Sequence, residues 1–548
     1  MKRYLYIFAV ALVSATANAQ DTYENARVLG ADLNGTARYV GMGGALEALG
    51  AEISTMSTNP AAIGLFRHSY ASLSFGMVSQ EDVNRFDNLG KTNLSFDQAG
   101  FVYSMKSSDT GFINFGINYH KRRNFDQILS AANALEHASL SKHVFGKSTM
   151  NNANNGGYTL DTNDKNDWMG WNGDSNDRSN AYTQLDFVYT NAVTMDDATN
   201  FDNKGKLVPI NVYNEASDYI FNRAHSGYIA DFDFNISGNI NNRVYLGVTI
   251  GAHVVNYKGY SEYTENILSA ADKVYRGQHV LADERKITGA GADIKLGVIF
   301  RPIEESPFRI GLSIATPTWY ELRTENYTSL YNNTDPNYYK WGADVFRSSE
   351  DYKFRYYTPW QFGMSVGHTV GNFLALGATY EYSDYSSADT RIIDGYDEYG
   401  NQDSYSDRMM NRNTEKSLRG VSTLKLGMEM KPDPALAVRL GYNYVSPAYS
   451  SSSVRDNTIN SIGNLYSSTA DYTNWKDTHR ITCGLGFKYD KMNFDVAYQY
   501  SVTNGTFHPF QNTEFYDPDD GTPLTNYATT TNVNNKRHQL LFTVGYTF

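Results

Sequence analysis

The stretch Phe112-Ile113-Asn114-Phe115-Gly116-Ile117-Asn118-Tyr119 alternates without a break. Ile113, Phe115, Ile117 and Tyr119 fall on one side, and Asn114, Gly116 and Asn118 fall on the other. Successive side chains of a strand point to opposite faces, so this is a strand with one apolar face and one small or polar face. The same pattern returns at Leu246, Val248 and Ile250 with Gly247 and Thr249 between them. It returns again at Ile294, Leu296 and Val298, and at Leu424, Leu426 and Met428. A soluble sandwich also alternates, so the spacing of the segments has to decide.

Fourteen such segments follow one another, near 70–79, 93–105, 111–120, 228–237, 242–256, 287–300, 308–318, 354–368, 373–385, 418–430, 436–445, 478–489, 492–502 and 537–548. The number is even, as in single-chain bacterial outer-membrane barrels. Links after the even-numbered segments are short, such as Lys106–Thr110 and Asp490–Lys491; links after the odd-numbered ones are longer, the largest covering 121–227. Short turns at one end and long loops at the other are the habit of these barrels. That order puts the short turns and both termini on the periplasmic side. The chain closes on Phe542, Val544, Tyr546 and Phe548, one apolar face ending in Phe, typical of substrates of the barrel assembly machinery.

The N-terminus agrees with export. Lys2 and Arg3 precede an apolar run from Tyr4 to Val13, and Ala17-Asn18-Ala19 is a small-x-small cleavage site. Residues 1–19 therefore read as a signal peptide. The apolar run is shorter than the roughly 20 residues a spanning helix needs. Composition fits as well. The chain has 43 Tyr and 28 Phe at a mean hydropathy of −0.50, and Tyr suits the two membrane interfaces. A net charge of −12, more negative still once Lys2 and Arg3 are removed, argues against nucleic acid as a partner. A single cysteine, Cys483, excludes an internal disulfide framework.

Residues 20–68 do not read as barrel. Gly41-Met42-Gly43-Gly44-Ala45 permits close backbone approach, and Asn59-Pro60-Ala61 reads as a turn or a helix start. A wide lumen needs filling, and this segment is expected to be a hatch inside it, a periplasmic tail being the alternative.

Gly41-Met42-Gly43-Gly44-Ala45 followed by Asn59-Pro60-Ala61 resembles the N-terminal hatch of FadL-type outer-membrane transporters. The resemblance continues through 289–302 and Phe308–Pro317, and at Val438-Arg439-Leu440-Gly441-Tyr442 with Ser446-Pro447. The stretch Ala51–Thr58 departs from the family by lacking paired aspartates. The Asn- and Tyr-rich composition resembles Bacteroidetes-type members. The resemblance implies an all-β, fourteen-stranded antiparallel transmembrane barrel (69–548) with its hatch at 20–68. It implies passive transport of hydrophobic small molecules, long-chain fatty acids among them, across the bacterial outer membrane. Its surroundings would be outer-membrane lipid and lipopolysaccharide. A polar-solute porin, a surface adhesin or structural barrel and a haem receptor are the rival readings.

No catalytic constellation is present, and no enzyme, cofactor or metal site is expected. There is no G-x-S-x-G, H-E-x-x-H or P-loop. Asp161–Asp167 resembles a calcium loop but carries Lys165 and Asn166 where a ligand and a Gly are required. His120, His225, His253 and His479 show no ligand spacing. The charges expected in the lumen, Asp231, Asp233, Lys295, Arg309, Lys425, Glu429, Arg439, Arg480 and Asp495, read mainly as ties between hatch and wall. Two stretches between strands carry helical periodicity: Phe125, Ile128, Leu129 and Leu135, and Ile267, Leu268, Val274 and Tyr275. Their apolar faces read either as loops packing on one another or as a groove where a hydrophobic ligand first lands, the candidate surface of ligand capture.

Overall fold

The computed structural model describes residues 21–149, 158–163, 167–171, 180–201, 207–269, 272–335, 344–396, 402–516 and 521–548. The expected signal peptide and part of the calcium-like stretch Asp161–Asp167 lie outside the described residues. The wall consists of fourteen antiparallel strands: β1 (Tyr70–Gln80), β2 (Thr92–Lys106), β3 (Phe112–Asn124, continued by Gln127–Ala134), β4 (Glu215–Ile240), β5 (Val244–Leu268), β6 (Tyr275–Phe300) and β7 (Arg309–Ala315 and Trp319–Thr334). They continue as β8 (Asp344–Tyr357 and Gln361–Val370), β9 (Leu374–Asp384), β10 (Gly420–Asp433), β11 (Leu436–Val445), β12 (Tyr472–Tyr489), β13 (Met492–His508) and β14 (Thr531–Thr547). Pairing of β1 with β14, from Tyr70 opposite Thr547 to Gln80 opposite Arg537, closes the ring.

The fourteen alternating segments are these fourteen strands. The alternation is inverted relative to a soluble core. Leu246, Val248 and Ile250 are exposed, while Gly247, Thr249 and Gly251, which alternate with them, are buried. Phe75, Phe115, Phe234, Leu296, Met364, Leu426, Ile481 and Val496 are likewise exposed on other strands. A closed barrel satisfies its backbone within its ladders, and an outward apolar belt suits hydrocarbon. The protein is thus a multi-pass barrel of the outer membrane.

Several strands outgrow that belt. β5 has 25 residues, roughly 80 Å of extended chain, against an apolar band of about 25 Å. Beyond Val254 its outward positions become Asn256, Lys258, Tyr260 and Glu262. The expected long loops are therefore partly wall. In the 121–227 segment, Gln127–Ala134 and the first part of β4 pair from Gln127 opposite His225 to Ala134 opposite Asp218. The two stretches read as helical are strands and strand ends, which corrects the periodicity reading. Ile128 and Leu129 are both buried because this strip is covered on both sides, and its alternation is lost.

Proline sets two breaks in the wall. β7 is interrupted at Thr316-Pro317-Thr318 and β8 at Thr358-Pro359-Trp360. Proline has no N–H to give to a ladder. The Thr318 N–H donates instead to Thr358 Oγ1 at 2.8 Å, and the Thr358 N–H to Thr318 O at 3.1 Å.

Residues 21–66 lie inside the ring. The chain starts high in the lumen, where Asp21 and Glu24 meet Arg455. It then descends to β1 at the short-turn end, so the first described residues are not on the periplasmic face. Short helices are built by local caps. The Thr36 side chain accepts from the Tyr39 N–H, and Asn59 Oδ1 accepts from the Ala61 N–H at 3.1 Å with Pro60 in the first turn. These are standard N-cap arrangements.

Candidate functional site

The lower lumen is filled by hatch against wall. Gly43 has a φ of +62°, and a Cβ there would sit 2.8 Å from the Leu426 carbonyl oxygen and the Tyr442 nitrogen. Only glycine combines that backbone conformation with so close an approach. The wall reciprocates, because side chains at Gly247, Gly377, Gly427 or Gly441 would run into Pro60, Ala45, Met42 and Gly43 respectively. Gly41 lies against Gly484, Gly44 against Leu33 and Lys425, and Ala61 is fully buried beside Tyr245 and Ile299.

Charges lock this packing. Lys425 donates to Glu47 at 3.0 Å and to Glu381 at 2.6 Å, and Thr379 donates to Glu47 at 2.6 Å. Arg38 reaches Glu429 at 3.1 Å; Arg439 reaches Glu429 at 2.7 Å and Asp495 at 2.6 Å. Arg309 donates to the Leu49 carbonyl. Higher up, Arg455 holds Asp21 and Glu24, and Arg285 pairs with Glu24. Arg455 and Arg285 carried no sequence signal, since nothing in their spacing relates them to residues 21–24.

Between the raised start of the hatch and its packed base lies a cavity of about 390 Å³. Leu29, Phe125, Tyr385, Tyr449 and Trp475 give it apolar surface. Arg123, Arg480 and Arg537 give it positive charge. Arg480 and Arg537 share one partner, Asp32, at 3.8 and 4.0 Å, and Arg123 donates to the Leu29 carbonyl. The cavity is therefore amphipathic, with more guanidinium than carboxylate around Asp32.

The wall beside this cavity is incompletely paired. β2 meets β3 only from Gln98 opposite His120 to Lys106 opposite Phe112. Thr92–Ser95 and Phe96 pair with β1, while β3 beyond His120 pairs with β4 alone. Beyond Asn124 the chain docks near β1, where the Gln80 side chain bonds both backbone groups of Ile128 at 2.7 and 2.8 Å. Across the resulting seam Lys121 Nζ donates to Ser95 Oγ at 2.7 Å. A side-chain bond stands there in place of a backbone ladder.

The eight residues expected to form a capture groove do not form one face. Phe125 lines the cavity. Ile128 packs with Leu89 and Ala224. Leu129, Leu135 and Ile267 are buried in a core formed by the long-loop end of the barrel, with Tyr189, Phe221 and Phe507. Leu268 is half-buried at the end of β5, and Val274 and Tyr275 are exposed at the start of β6. The histidines, unremarkable in spacing, are brought together by register: His120 and His253 flank Asp231 on neighbouring strands.

No protein-family model matches the chain, and no curated protein matches it. Solved structures do. The Ralstonia pickettii toluene transporter TbuX matches at 12% identity and a TM-score of 0.46, over 94% of this chain and 99% of that one. A Pseudomonas aeruginosa FadL homologue matches at 13% identity and a TM-score of 0.48, over 94% and 99%. The P. putida toluene transporter TodX matches at 10% identity and a TM-score of 0.45, over 94% and 99%.

Proposed function

We propose that this barrel carries hydrophobic small molecules passively across the outer membrane, without catalysis, and that long-chain fatty acids are its cargo. The observation that carries this reading is the amphipathic cavity set against the β2–β3 seam. An apolar chain can lie along Leu29, Phe125 and Tyr385 while a carboxylate meets Arg123, Arg480 or Arg537. The seam held by Lys121 and Ser95 then offers a way out sideways, into lipid, for a molecule that water would not receive. A polar-solute porin needs an open lumen, whereas the lower lumen here is packed from Gly41 to Ala61.

The test joins the seam. In a Cys483→Ser background, Ser95→Cys and Lys121→Cys are bridged by a short bifunctional thiol reagent. Oleate binding to the purified protein should stay within about twofold, and oleate uptake by cells should fall at least tenfold. Failure of oleate to bind would refute the cargo; unchanged uptake after complete bridging would refute the sideways exit.

A further inference from the structure

Strand register builds a second constellation at the edge of the cavity. Asp231 and Asp233 are two apart on β4, so both side chains enter the lumen. His120 of β3 stands directly opposite Asp231, and His253 of β5 stands opposite it on the other side. His120 Nε2 lies 3.7 Å from Asp231 Oδ2, and His120 Nδ1 lies 3.6 Å from Asp233 Oδ2. All three residues are more than nine-tenths buried. His120 Nδ1, Asp231 Oδ2 and Asp233 Oδ2 have no hydrogen-bond partner. Leaving three buried polar atoms unmatched is costly, and such groups ask for an explanation.

The remaining atoms of the two carboxylates are occupied. His253 Nδ1 bonds Asp231 Oδ1 at 2.6 Å. Lys295 Nζ reaches Asp233 Oδ1 at 3.4 Å and Asp293 Oδ1 at 2.6 Å. Each aspartate thus has one oxygen held from outside and the other turned toward His120, with Arg122 Nη1 also 3.8 Å from Asp231 Oδ2. This is the division between oriented and orienting groups that metal sites use. One ring nitrogen of His120 and one oxygen each of Asp231 and Asp233 lie within 4.8 Å of one another; two donors about 2.0–2.2 Å from one ion stand roughly 3–4 Å apart, so a small side-chain shift closes the set around an ion. Lys295 and Arg122 pair with these carboxylates, and His253 stands between Asp231 and Asp293 at 2.6 and 3.1 Å.

We propose that His120, Asp231 and Asp233 bind a first-row divalent transition-metal ion. One imidazole with two carboxylates suits zinc, manganese or iron better than calcium or magnesium. His120 and Asp231 line the cavity, so the ion has a way in from the lumen and an open coordination side toward it. Bound there, it would cross-link β3 to β4 beside the β2–β3 seam.

The experiment uses the full barrel in detergent, stripped with chelator and titrated with Zn²⁺ by calorimetry, with Co²⁺ as an optical probe. One ion per chain at micromolar affinity or tighter is expected, reversed by chelator. Asp233→Asn and His120→Gln should each weaken binding at least tenfold while the heat-dependent gel shift of the folded barrel persists. His479→Ala and His538→Ala, at exposed or half-exposed histidines elsewhere, should leave it unchanged. Absence of saturable Zn²⁺ binding below millimolar in the parent, or binding indifferent to both Asp233→Asn and His120→Gln, would overturn the site. Should either variant lose the gel shift, Asp231→Asn takes its place under the same criterion.

Discussion

Lys425 on the wall places its Nζ 3.0 Å from Oε1 of Glu47 in the hatch. Glu381 takes the same ammonium from the other side at 2.6 Å. Removing one partner of a buried pair costs about 3–5 kcal/mol, because the other charge is left uncompensated. Lys425→Ala leaves two carboxylates facing each other and should loosen the hatch, giving frequent openings in planar-bilayer recordings. Adding Glu47→Gln and Glu381→Gln should quieten them. Lys425→Ala recordings as silent as the parent's would show that this tie does not hold the hatch.

The outward belt sets a second expectation. Val248 is exposed on β5, and its neighbour Thr249 is fully buried on the lumen side. Val248→Arg should destabilise the barrel in lipid by about 2–4 kcal/mol. Thr249→Ser, which keeps a hydroxyl for Asn235, should cost far less. Urea titration in vesicles measures both, and equal costs on the two faces would contradict the lipid-facing assignment.

Glu265, in the extension of β5 beyond the apolar belt, gives a pH dependence. Burial pushes its carboxyl from 4.5 up to about 7, against the pull of hydrogen bonds from Tyr263 and the Leu140 N–H. The folded state thus keeps its proton to higher pH than the unfolded one. Its contribution is full below about pH 4.5 and declines as pH rises through 7. Resistance of the folded barrel to urea should be lower at pH 8 than at pH 5. Glu265→Gln should flatten the profile; a profile unchanged by that substitution would assign the effect elsewhere.

Strand number and facing were legible because lipid on one side and hatch on the other impose strict alternation, as Ile113 to Tyr119 show. The hatch glycines were legible too, since Gly43 and Gly44 need positive φ. Where a strand is covered on both sides, as at Ile128 and Leu129, the alternation vanished and a helical period stood in for it. Asp231 and His120 are far apart in sequence, and only the β3–β4 register makes them neighbours. Arg455 holds the start of the hatch from a loop, a relation that no local spacing records.

The most direct measurement compares two fluxes through the same purified protein in vesicles: entry of a long-chain fatty acid, read by an internal fluorescent acceptor, and entry of a small sugar, read by swelling. Saturable, protein-dependent entry of the fatty acid with no sugar-driven swelling is the expected result. Swelling at open-pore rates, with fatty-acid entry no faster than through protein-free lipid, would contradict a hatched barrel for hydrophobic cargo.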